Sequence, residues 1–148
     1  MSGKVHEPLI LLVEDNPGDV RLTQEALKQG STPHQLEVAS DGEEALDYLF
    51  QRDGYESAQR PDLVLLDLNL PKCDGREVLD RVKTEPELRQ IPVVVLTTSE
   101  AAEDIRHAYE HNANCYITKP VDLDDFLEVV QGIEDFWLRV ARLPSDSG

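Results

Sequence analysis

Basic residues are scarce in this chain of 148 residues, 14 Lys and Arg against 30 Asp and Glu, for a net charge of −16. A surface of that sign repels phosphate backbones and anionic headgroups, so nucleic acid and membranes are not expected as direct partners. Long apolar runs are missing as well. No stretch approaches the roughly 20 apolar residues of a membrane span, and the first apolar run is cut short by Glu14 and Asp15 before it could act as a signal peptide. The cytoplasm is the expected compartment. Only two cysteines occur, Cys73 and Cys115, in neither a CxxC nor a zinc spacing, and they are expected to be free thiols. Lysine is thin at five residues against nine Arg, while Asp and Glu stand at 15 each. That bias suits a salt-adapted source and an ordinary acidic cytosolic protein equally. Histidine is limited to His6, His34, His107 and His111. The last two share a helical face at i, i+4 and, with no third ligand evident, are expected to cap a solvated turn.

What is present is a rhythm. Short apolar runs at 9–13, 35–39, 63–66, 93–96 and 115–117 alternate with helical patterns, which predicts an α/β fold, a five-stranded parallel sheet with right-handed crossovers flanked by five helices. The length suits one domain, 1–148, able to bury roughly 70% of its unfolded surface. Asn16 as cap, Pro17 in the first turn and Asp19 after it mark the first helix start. Asp41 and Gly42 open a second helix carrying Ala45, Leu46 and Leu49, and 51–61 is a polar surface loop. The only low-complexity stretch is the small polar tail, 144–148.

Strand ends carry the chemistry. In a sheet of this kind Glu14, Asp15, Asp67, Thr97 and Lys119 emerge together at the carboxyl edge. Three carboxylates and one amine leave about two surplus negative charges, which one divalent cation neutralises. Magnesium takes about six hard oxygens near 2.1 Å and keeps several waters, so Asp15, Asp67 and the backbone carbonyl of Asn69 would suffice as ligands, with Glu14 holding a coordinated water. The cation removes the repulsion between Asp67 as nucleophile and an incoming phosphoryl group. Lys119 would pair with Asp67 and later with its phosphoryl group, and Thr97 would donate to another phosphoryl oxygen. Any one of these residues alone is more often a helix or turn cap; their conjunction is what argues for a site. A nucleotide-binding module would need glycines where Glu14-Asp15-Asn16-Pro17 stands. An aspartate-nucleophile phosphatase would want a second acid where Asn69 stands, and a non-phosphorylated scaffold would be expected to lack at least one of the cluster residues.

Val13-Glu14-Asp15-Asn16, Leu65-Leu66-Asp67-Leu68-Asn69-Leu70-Pro71, Gly75, Val95-Leu96-Thr97 and Tyr116-Ile117-Thr118-Lys119-Pro120 together resemble the receiver domain of two-component response regulators, over about 8–135. The resemblance implies a doubly wound, flavodoxin-like receiver fold and phosphoryl transfer from a sensor histidine kinase to Asp67 with Mg2+. It also implies a cis Lys119–Pro120 bond, and Thr97 and Tyr116 moving together as the switch. Within the family, the loop 52–61, Val95-Leu96-Thr97-Thr98-Ser99 and Phe136-Trp137-Leu138 are most similar to stand-alone regulators associated with phytochrome-type kinases. Thr98 departs from the usual small residue beside the switch threonine.

Leu123, Phe126, Val130, Ile133, Trp137 and Val140 recur at spacings of three and four, an apolar stripe on a last helix expected over 122–142. Such a helix runs roughly 30 Å where a five-residue strand spans about 17 Å. The extension, 136–148 with its tail, is therefore expected to overhang the sheet and form a homodimer through Phe136 and Trp137.

Overall fold

The computed structural model describes residues 7–30, 32–141, 143 and 144. His6, Arg142 and the tail past Pro144 lie outside the described residues, as does the side chain of Val140. The strands are β1 (Leu9–Val13), β2 (Gln35–Ala39), β3 (Leu63–Leu66), β4 (Val93–Thr97) and β5 (Cys115–Thr118). All pair in parallel, in the order β2-β1-β3-β4-β5. The helices are α1 (Pro17–Lys28), α2 (Gly42–Leu49), α3 (Gly75–Thr84), α4 (Ala102–Glu110) and α5 (Leu123–Ile133). Four of them start on a side-chain cap: Asn16 accepts from the Asp19 N–H, Asp41 from Glu44, Asp74 from Arg76 and Asp122 from Asp125.

Strand residues alternate between two buried faces, which is why the central runs are apolar throughout. Leu11, Val13, Val64, Leu66, Val93 and Val95 pack with α2, α3 and α4. Ile10, Leu12, Leu63, Leu65, Val94 and Leu96 pack with Ala26 and Leu27 of α1 and Phe126, Val130 and Ile133 of α5. Sequence order reverses between β1 and β3, and the crevice at that switch point is where such sheets take ligands. On the outer edge of β5 the Tyr116 N–H donates to the Tyr109 hydroxyl at 3.1 Å. Among the described residues no helix is long and apolar enough to cross a membrane.

The last helix differs from expectation. Regular α-helix ends at Ile133 and a π-helical segment, Glu134–Val140, continues it. Trp137 and Leu138 are half-buried against the α1 and α5 core, while Phe136 stays 52% exposed. Trp137 is thus not the overhanging anchor its position suggested. Residues of the α1–β2 connection meet this segment: the buried Glu134 carboxylate accepts the Thr32 N–H at 3.0 Å and lies against Gly30.

Candidate functional site

Parallel register brings the strand ends of β1, β3, β4 and β5 to one edge. Asp67 follows β3, its N–H held by the Val13 carbonyl at 3.0 Å, and the Lys119 N–H holds the Thr97 carbonyl at 2.7 Å. Gly75 at the start of α3 lets that helix close on the Asp67 turn: a Cβ there would lie 2.2 Å from the Asp67 carbonyl oxygen and 2.6 Å from Leu68 Cα. Only glycine fits so close an approach.

Four of the five expected groups are buried: Glu14, Asp67, Thr97 and Lys119. Asp15 is exposed. Oxygens of Glu14, Asp15 and Asp67 lie within 4.8 Å of one another. Asp67 Oδ1 accepts from the Thr97 hydroxyl at 2.8 Å and from the Asn69 N–H at 3.2 Å. Lys119 reaches Asp67 Oδ2 at 3.3 Å, but its shorter partners are Glu14 at 2.5 Å and Asp19 at 2.9 Å. Asp19 is the residue that sequence reasoning assigned only to the first turn of α1. Its signal was its place in the first turn of the helix that the acid pair leads into, close to the same sheet edge. Burial pushes the Glu14 carboxyl up to about 7, with Lys119 only partly opposing it. Burial alone would lower the Lys119 amine, yet hydrogen bonds to Asp19 and Glu14 outweigh this and hold it above the ordinary lysine range.

The Lys119–Pro120 bond is trans, since the described residues contain no cis peptide; the cis form implied by family resemblance is not observed. The strand ladder already delivers the amine to the cluster, so the intrinsic trans preference of roughly 0.5–1 kcal/mol goes unopposed. Tyr116 is half-buried and its hydroxyl donates to the Ser99 carbonyl at 2.9 Å. Beneath it lies a network that the sequence did not announce: Ser99 Oγ donates to Asp104 at 2.6 Å, and Arg76 of α3 donates twice to the same carboxylate at 2.8 Å. Thr98 is exposed.

A model of the response regulator receiver domain matches residues 10–131. The chain belongs to the response regulator receiver family. Response regulator Rcp1 of Synechocystis sp. is 51% identical over 146 residues, 98% of this chain and 99% of that protein. The solved Mn2+-bound form of Rcp1 superposes with a TM-score of 0.91 at 52% identity, covering 93% of this chain and 99% of that one. The phosphorylated cyanobacterial phytochrome response regulator RcpA does so with 0.91 at 53% identity, over 94% and 99%. This receiver is a response regulator of two-component signalling, similar to stand-alone regulators of phytochrome systems. Its acidic cluster, an all-oxygen donor set around a single ammonium, fits a divalent cation.

Proposed function

We propose that Asp67 is the phosphoacceptor of a phosphorelay, taking a phosphoryl group from a phosphohistidine of a sensor kinase. The observation that carries this reading is the arrangement around Asp67, with Thr97, Lys119 and two further acids on one carboxylate. Oδ2, engaged only by the longer Lys119 contact, is the oxygen free to attack phosphorus; the O–P bond forms as the N–P bond to the donor imidazole breaks. Mg2+, held by Asp15, Asp67 and the Asn69 carbonyl with Glu14 behind a water, would screen carboxylate from phosphoryl charge. Lys119 then pairs with the phosphoryl oxygens, and the Thr97 hydroxyl, now on Asp67, transfers its hydrogen bond to one of them. Tyr116 follows Thr97 as the second half of the switch. The domain is a phosphoacceptor that assists its own transfer and hydrolysis, not an enzyme acting on a separate substrate.

The relatives from phytochrome systems support a phytochrome-type kinase as donor; the −16 charge supports a reading without nucleic acid or membrane partners, placed in the cytoplasm. Phe136, half-exposed and edge-on to Trp137 at 5.3 Å between ring centres, supports a homodimer through the carboxyl-terminal segment. Acetyl phosphate or beryllofluoride is expected to modify the wild type only with Mg2+ present, and Asp67→Asn to block it. Labelling of Asp67→Asn at the wild-type level, or labelling that survives chelation, sinks the assignment.

A further inference from the structure

Asp80 of α3 and His107 and His111 at the carboxyl end of α4 bring together three metal-binding side chains outside the acidic cluster. We propose that Asp80, His107 and His111 form a second metal site, for a borderline transition ion such as Zn2+. The i, i+4 histidine pair does have a third partner; it sits on the neighbouring helix, where linear spacing could not show it. Asp80 Oδ1 lies 3.4 Å from His107 Nε2 and 3.5 Å from His111 Nε2, and one donor atom from each residue falls within 4.8 Å of the others. Those separations are too long for good hydrogen bonds. They match the edge of a tetrahedron around zinc, about 3.3–3.5 Å for bonds near 2.0–2.1 Å.

Two further observations point to an absent ligand. Asp80 Oδ1 and His107 Nε2 are shielded from solvent and have no hydrogen-bond partner, although buried polar atoms are nearly always paired. The His111 ring is also set in a metal-binding tautomer. Its Nδ1 lies 2.8 Å from the His107 carbonyl oxygen, which can only accept. Nδ1 therefore carries a proton, held in the usual outer support of a ligating imidazole, which leaves Nε2, on the Asp80 side, as the ring nitrogen available to a metal. The two rings stack at 4.0 Å between centres, 25° apart, presenting their nitrogens side by side. The three side chains are about one-third exposed, at 33% for His107 and 38% for Asp80 and His111, so the cluster lies near the surface although two of its donor atoms are shielded. Two imidazoles and one carboxylate favour zinc over magnesium, the reverse of the oxygen-only cluster at Asp67. An ion here would tie α3 to the carboxyl end of α4.

Calorimetric titration of the full chain with Zn2+, in an excess of Mg2+ that occupies the acidic cluster, tests the site. One Zn2+ per chain is expected, with affinity weakened at least about tenfold in His107→Ala and in His111→Ala and less in Asp80→Asn. In the wild type, the imidazole NMR resonances of His107 and His111 should shift with zinc while those of His34 stay still, a readout independent of variant folding. Zinc binding that survives the double histidine variant, or that is lost only in Asp67→Asn, overturns the proposal. So does a wild type that takes up no zinc and shows a protonated imidazole pair against Asp80.

Discussion

One ammonium serves three carboxylates in this protein, with Asp15 close by as a fourth acid. Without a cation the acids outnumber the base, so losing one should relieve repulsion. Asp67→Asn is expected to raise the melting temperature of the metal-free protein by a few degrees, about 1 kcal/mol for a domain of this size, and the gain should shrink as Mg2+ is added. Calorimetry with and without chelator checks this, and an equal or lower apo melting point would mean the acids do not repel. Asp104 shows the opposite electrostatics. The Arg76 guanidinium first, then the Ser99 hydroxyl, hold its carboxyl down to about 2 from 3.8. A depressed acid contributes stability that is complete above its unfolded value and disappears as pH falls through the folded one. After allowance for solvent screening this amounts to about 1 kcal/mol. Asp104→Asn should therefore cost stability at pH 6 and little at pH 2, as read from urea midpoints at the two values.

Most elements were legible because each rested on a local signal. Leu9–Val13, Gln35–Ala39 and Leu63–Leu66 are apolar or alternating runs between turn residues, and Asn16, Asp41 and Asp122 announce helices by capping them. Thr97 and Thr118 extend β4 and β5 by a residue because the ladder continues into the site. Glu14, Asp67, Thr97 and Lys119 could be placed because strand ends of a parallel sheet share an edge. Asp19 as a Lys119 partner, Asp80 beside the histidines and the Arg76–Asp104 pair depend on helix packing, which spacing along one chain does not encode. The end of α5 is the instructive miss. A stripe of period 3.6 identified Trp137 as apolar-facing but not what it faces, and the half-buried ring found its own domain. Trp137→Ala should consequently destabilise the monomer by about 2 kcal/mol from lost burial, whereas Phe136→Ala should leave folding unchanged and shift any dimer towards monomer. Sedimentation and chemical denaturation of both variants separate these effects; a wild type that is monomeric with and without beryllofluoride removes the dimer.

At the scale of the whole molecule, the −16 charge and the exposed acids on most helices keep copies apart at low ionic strength. Salt weakens that protection, and an open sheet then has two edges at which chains could pair. On the β5 edge a phenol stands guard. With its hydroxyl on the Tyr116 N–H, Tyr109 occupies a donor that a foreign strand would need in order to dock and prolong the sheet. Tyr109→Phe keeps the ring and strips away that guard, so its expected phenotype is colloidal: slow aggregation at high salt and high concentration, followed by light scattering, from a protein whose melting temperature has barely moved. Unchanged scattering would show that charge alone keeps the edge closed.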